Sequence, residues 1–363
     1  MRFIDEYRDP SLIRGLLARI GETADSLADR VVTLMEVCGT HTQAIARHGL
    51  KALFPRNLRL ISGPGCPVCV TSTGDVDAAL HLAGLKNVTF ATFGDMLRVP
   101  GSGGRSLQTL RASGADVRVV SSAADCLAMA EADPARNIVF MGIGFETTSP
   151  TVASAILAAR KRGLSNLSAF SVHKVVPPVL QALLDDPALH IDGFLCPGHV
   201  STITGTAAYE RIPVSGRAAV ITGFEPADIL EGVLMLLRQI AEGTFSVEIQ
   251  YARGVKEEGN ARAREILERV FCPSDAEWRG LGTIPGSGLQ FREEFGAWDA
   301  RTRYPIPEMA VEEIKGCSCG EILRGVRTPE ECPLFRRTCT PSKPVGPCMV
   351  SSEGTCAAHF KYS

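Results

Sequence analysis

The chain has 363 residues, 45% of them hydrophobic, with 38 basic against 40 acidic side chains and a formal net charge of −2. That length exceeds what one growing core accommodates and predicts two or three domains; the near-neutral balance, without a long basic tract, gives nucleic acid no support as a partner. Acids and bases interleave from Arg2 onward, and the longest apolar runs, such as Ile138 to Ile143 and Val233 to Leu237, fall far short of the roughly 18–20 residues of a membrane span. No signal peptide and no membrane association are therefore expected, and a cytoplasmic location is.

From about residue 30 to 240 a short apolar run, a Gly/Pro-rich loop and an amphipathic stretch repeat. The runs are Val31–Val37, Leu58–Ser62, Val88–Phe93, Val117–Val120, Ile138–Ile143, Leu167–Val172, Gly193–Leu195 and Ala218–Thr222. The helical stretches are Thr42–Leu53, Gly74–Ala83, Ala123–Ala132, Thr151–Arg162, Pro178–Leu184 and Ala227–Glu242. Alternating strand and helix predicts an α/β fold with parallel sheets. Cys38-Gly39-Thr40-His41 and Gly144-Phe145-Glu146-Thr147 each pass from strand to helix, which suggests an internal duplication. The expected arrangement is two similar α/β lobes facing a cleft, residues 28–122 and 123–243. Beyond Thr244 the periodicity weakens, and residues 244–363, joined by 1–27, are expected to form an irregular, mainly helical and loop domain whose core needs a cofactor.

In open parallel sheets ligands bind beyond the carboxyl ends of the strands. Cys38 and His41, Cys66 and Cys69, Glu146, His173 and Lys174, Cys196 and His199, and Glu225 all fall at such ends. Cys38 starts a helix, where unpaired N–H groups and the dipole favour a thiolate. With His41 one turn on, it is a soft-metal ligand or a nucleophile beside its base; the alternative is a buried strand-end thiol and a helix-capping histidine. Cys66-Pro67-Val68-Cys69 has the spacing of a reversible disulfide or of half a zinc site, and no second such pair completes a zinc ribbon. Glu146 and His199 are candidate site residues, with capping and loop packing as the alternatives. Cys126 and Cys196 are assigned to packing, and Cys272, before a proline, to a connection.

Six of the twelve cysteines lie between Cys317 and Cys356, separated by 1, 12, 6, 8 and 7 residues. Structural disulfides are rare in a cytoplasmic chain, so metal or redox chemistry is expected. The spacings are not those of ferredoxins, and zinc is the second choice. Six thiols exceed the four that a [4Fe–4S] cluster takes, leaving two for a dithiol beside it.

Together, CGTHT at 38–42, GPGCPVC at 63–69, GFETT at 144–148, PGHVS at 197–201 and the cysteine-rich tail resemble, end to end, the HypD family of [NiFe]-hydrogenase maturation factors. The resemblance implies a redox-active scaffold, rather than a turnover enzyme, on which the Fe(CN)2CO moiety of the hydrogenase is assembled with a small HypC-type chaperone and a HypE-type cyanide carrier. It implies that Cys38 ligates that iron beside His41, and that Cys66 and Cys69 form a thiol–disulfide pair. It also implies that Cys317, Cys332, Cys339 and Cys356 hold a [4Fe–4S] cluster, with Cys319 and Cys348 as a dithiol near it. Electrons would then pass from the cluster side to Cys66/Cys69 and on to the iron. The competing readings are a disulfide reductase similar to ferredoxin:thioredoxin reductase and a zinc-binding interaction module.

Overall fold

A computed structural model describes residues 4–27, 30–308, 310–312 and 314–362. Residues 1–3 and the expected boundary at residue 28 lie outside the described residues. The strands, in chain order, are β1 (Val32–Glu36), β2 (Leu58–Ser62), β3 (Val88–Thr92), β4 (Val117–Val119), β5 (Asn137–Gly142), β6 (Leu167–Ser171), β7 (Gly193–Pro197), β8 (Ala218–Thr222), β9 (Val247–Ile249), β10 (Phe271–Trp278) and β11 (Gly282–Phe291). The fold is α/β with two parallel sheets, one ordered β2-β1-β7-β8-β9 and the other β4-β3-β5-β6. Every residue of β3, β6, β7 and β8 is buried, as expected for parallel strands covered on both faces.

The order of the strands corrects the expected division of the chain. It leaves the first sheet after β2, builds all of the second, and returns at β7, where Leu34 of β1 pairs with Gly193. The lobes are therefore not 28–122 and 123–243: β3 and β4 belong with β5 and β6. Sequential neighbours usually pair, but hydrogen bonding between β1 and β7 spans the whole second lobe and is invisible to local pattern.

The duplication is present in the topology with a different correspondence. Both sheets follow the order second-first-third-fourth, and the first adds a fifth strand. The loop after β1, which holds Cys38, thus matches the loop after β3, and the GFETT loop after β5 matches the PGHVS loop after β7. In each lobe the order reverses between first and third strands, the point where such sheets open a ligand crevice. For the first lobe that point lies between Cys38-Gly39-Thr40-His41 and Pro197-Gly198-His199.

Two further corrections concern the ends. The helix Pro10–Asp25 starts with Asp9 accepting from Ser11 N–H and Leu12 N–H, and it packs on the helix Pro226–Glu242 of the first lobe rather than joining the tail. After the helix Ala261–Val270 the chain forms an antiparallel hairpin, β10–β11, so Cys272 lies in a strand and the third region is not solely helix and loop. Trp278 at the hairpin tip is fully buried and bridges to Thr71, which follows the Cys66–Cys69 turn. Cys66, Cys69 and five of the six tail cysteines share one continuous apolar core, and Cys317 packs against it from a partly exposed position.

Candidate functional site

Cys38 is the N-cap of the helix Gly39–Arg47, in extended conformation at the end of β1. Backbone N–H groups of Thr40 and His41 point at its sulfur and favour the thiolate, as expected at a helix start. Burial opposes them and outweighs them: desolvation pushes the thiol up to about 12.

Beside it lies Glu36, which sequence reasoning missed. Its Oε2 accepts from Cys38 N–H at 3.0 Å and its Oε1 from the Thr42 hydroxyl, while full burial raises its carboxyl to about 7. A charged residue within the apolar run Thr33-Leu34-Met35-Glu36-Val37 was the available signal. The His41 ring is fully buried; its Nε2 donates to Gly223 O at 2.9 Å, with Thr222 O at 3.2 Å. Nδ1 therefore carries the lone pair and has no partner among the described residues. Desolvation lowers His41 to about 4, keeping it neutral. Phe224, also unanticipated, is sandwiched between His41 at 4.8 Å and the exposed His199 at 3.9 Å, so the histidines of both crevice loops converge.

The GPGCPVC loop packs directly on this turn. Gly39 N–H donates to Gly65 O at 2.9 Å, and any Cβ on Gly65 would overlap the Cys38 backbone nitrogen. The next residue, Cys66, is joined to Cys69 as a disulfide, Cα to Cα 5.3 Å, and both are buried. The short helix they close, Pro67–Val70, packs against Pro347–Met349 of the tail, which holds Cys348.

The tail also reaches the crevice itself. The Thr40 hydroxyl donates to Glu353 Oε1 at 2.7 Å, and Ser351 Oγ donates to Asp95 Oδ2, at the loop after β3, at 2.8 Å. Residues 351–353 thus tie the reversal points of both sheets together. Glu353 gave no sequence signal beyond its place between the last two cysteines.

All six tail cysteines line one cavity, completed by Ile322, Leu334, Phe335, Gly346 and Met349. The donor set is wholly sulfur in an apolar shell, the chemistry of a cysteine-ligated iron–sulfur cluster. Cys319 Sγ and Cys348 Sγ are 2.6 Å apart.

Glu146 sits in the loop after β5, in the second lobe. It is buried, its Oε1 accepts from Val176 N–H at 2.8 Å, Oε2 has no partner among the described residues, and desolvation raises it to about 7. Tyr209 feels both Glu146 and Cys196 electrostatically and accepts from Ser201 Oγ at 2.9 Å. Glu225 starts the helix Pro226–Glu242 and is held by Arg8. His173 bonds Ser171 Oγ at 3.0 Å, and the buried Lys174 faces Asp75 at 3.7 Å. Cys126 and Cys196 are both fully buried.

A doubly wound pair of lobes with a buried thiol at one reversal point, a disulfide packed on it and an all-thiol cavity behind defines a class: a thiol-rich α/β protein whose cysteines gather at the carboxyl ends of its strands and in its tail. Comparison with known proteins resolves the class further. The profile of the HypD family, described as "Hydrogenase formation hypA family", matches residues 11–363. Hydrogenase maturation factor HypD2 of Bradyrhizobium diazoefficiens is 46% identical over 370 residues, covering 100% of this chain and 97% of the relative. HypD of Rhizobium leguminosarum bv. viciae is 46% identical over 370 residues (100% and 96%), and HypD of Escherichia coli K12 is 45% identical over 368 (100% and 98%). The chain belongs to the HypD family of hydrogenase maturation factors. Among the described residues no helix is long and apolar enough to cross a membrane.

Proposed function

We propose that this chain is a cytoplasmic scaffold on which the Fe(CN)2CO moiety of [NiFe] hydrogenase is assembled. The observation that carries the reading is the crevice at Cys38, where a desolvated thiol, the Glu36 carboxyl, the free Nδ1 of His41 and a disulfide-bearing loop meet at a sheet reversal point. The iron–diatomic unit is cargo. Low-spin ferrous iron bearing cyanide and CO is a soft centre that thiolate holds well, and a second thiol from a HypC-type chaperone, with cyanide from a HypE-type carrier, completes the assembly. On iron binding Cys38 loses its proton, and the acceptors within the site are the carboxylate of Glu36 and the lone pair of His41. Phe224 and the burial of His41 keep water from the iron.

Cys317, Cys332, Cys339 and Cys356 are the residues that would hold a [4Fe–4S] cluster; when bound it supplies single electrons. This chain's own thiols do the rest by exchange. Cys319 and Cys348 give two protons and two electrons to the Cys66–Cys69 disulfide, becoming a disulfide while that pair becomes two thiols beside Cys38. The contact between Pro67–Val70 and the Cys348 turn supports this step.

The test is infrared spectroscopy of the anaerobically purified complex with the small chaperone. Bands from iron-bound CN and CO that vanish in Cys38→Ala are expected. Rapid reduction of thioredoxin-like proteins with no diatomic bands would instead favour the reductase reading, whose supporting observation is the close Cys319–Cys348 pair.

A further inference from the structure

The hairpin tip brings a buried cation to the thiols that nothing above uses. Arg279 is 6% exposed; its N–H donates to Val70 O at 2.9 Å and its Nε to Thr71 O at 2.9 Å, just beyond Cys69. Its Nη2 is buried and has no hydrogen-bond partner among the described residues. A buried guanidinium nitrogen left unpaired is costly, and planar guanidinium is suited to carboxylate. Gly280 and Gly320 touch backbone to backbone, because a Cβ on Gly320 would lie 2.7 Å from Gly280 Cα; this contact seats Arg279 beside the Cys319 turn.

A cavity of about 390 Å3 opens there, lined by Ser72, Arg279, Cys317 and Cys319 among others. That is the size of a small-molecule site. Cys319 lines both this cavity and the inner thiol cavity, whereas Cys348 lines only the inner one. The outer cavity also contains two acids. Glu321 is paired with Arg327 at 2.8 Å, and Glu277 acts electrostatically on Lys174.

We propose that this cavity admits a small carboxylate-bearing thiol, recognised by Arg279, which reduces the Cys319–Cys348 disulfide left by exchange with Cys66–Cys69. The inference rests on the dithiol part of the function proposed above. The incoming thiolate attacks Cys319 Sγ, the only sulfur of the pair that lines the outer cavity. The Cys319–Cys348 bond breaks, Cys348 leaves as a thiolate and takes a proton, and a mixed disulfide remains on Cys319. A second molecule attacks the external sulfur of that bond, releasing Cys319 as a thiol and the small disulfide as product. Two thiols are oxidised and one disulfide reduced.

The experiment oxidises the full-length protein anaerobically with a mild disulfide. It then follows the return of alkylatable Cys319 and Cys348 by peptide mass with glutathione, 2-mercaptoethanol and cysteamine, each rate expressed per thiolate. The expected result is a preference for glutathione over the two uncharged or cationic thiols of about tenfold, the worth of one charge-assisted hydrogen bond. A transient glutathione adduct on Cys319 is expected as well. Arg279→Gln is expected to bring the ratio near one and Arg279→Lys to restore part of it; because a ratio is read, a general structural loss does not mimic the effect. A pair that never forms a disulfide overturns the dithiol reading and this inference together. A pair that forms but shows no preference, or a preference that survives Arg279→Gln, or an adduct on Cys348, overturns this inference alone.

Discussion

Thr40 and Glu353 stand 313 positions apart, yet the Thr40 hydroxyl donates to the Glu353 carboxylate at 2.7 Å. Glu353 also presses on Gly39, where a Cβ would meet its own Cβ at 2.7 Å. The last loop of the chain is thus a wall of the Cys38 crevice, and what disturbs the tail disturbs Cys38.

Glu353→Ala should therefore loosen the crevice. Loss of a hydrogen bond to a largely buried carboxylate is expected to cost about 1–2 kcal/mol in urea unfolding. Iodoacetamide labelling of Cys38, read by mass spectrometry, is expected to quicken several-fold, with Glu353→Gln intermediate. Unchanged labelling would separate the tail from the crevice.

Gly65→Ala tests the seating of the disulfide loop. Its added carbon has no space against the Cys38 backbone, and a displacement of main chain against main chain is expected to cost about 3 kcal/mol. Thermal unfolding measures the loss. Gly114→Ala, where nothing lies within 4 Å, shows the cost of a positive φ alone.

The pH dependence of stability should carry the mark of Glu146. Its carboxyl is raised from 4.5 to about 7 by burial, so the folded state holds a proton that the unfolded state has lost. Stability from this group is complete below pH 4.5, falls as pH rises towards 7, and is level above. The total is on the order of 3 kcal/mol. Glu146→Gln keeps an acceptor for Val176 N–H, and the difference in unfolding free energy between variant and parent should grow by that amount from pH 4.5 to 7.5. A constant difference would refute the burial argument.

Cys332→Ala and Cys66→Ser divide the thiols by role. The first is expected to lose iron and visible absorbance and to destabilise the tail, because metal binding there is folding energy. The second should retain both and fail in hydrogenase maturation. Iron analysis with a hydrogenase activity assay of the complemented host distinguishes the two.

The strands from Val32–Glu36 through Ala218–Thr222 were legible because they are short apolar runs between turn residues, whereas the edge strand Val247–Ile249, only three residues long, was not. Which sheet each joined was not, since the pairing of Met35 with Phe194 is set by tertiary contact. The hairpin 271–291 was hidden by Pro273, Pro285 and four glycines, which speak against strand, and by the register shift between Ser274 and Ala276. The helix Pro10–Asp25 carries both a capping signal, Asp9-Pro10-Ser11, and apolar residues at helical spacing, Leu12, Ile13, Leu16, Leu17 and Ile20, but its packing on the first lobe is a tertiary choice that these do not reveal. At the site, cysteines and histidines were visible by type. Glu36, Phe224, Arg279 and Glu353 needed the fold, because their significance lies in what they touch.

The return of the chain from the second sheet to the first bears on assembly during synthesis. Residues 88–171 supply all four strands of the second sheet in one contiguous stretch, although its core is completed by residues 270–295. β1 and β2 must wait, since their remaining partner strands begin at Gly193. The wall that Glu353 gives the Cys38 crevice comes later still in chain order. A nascent chain that lacks the Glu353 segment thus has no finished pocket in which to capture stray metal.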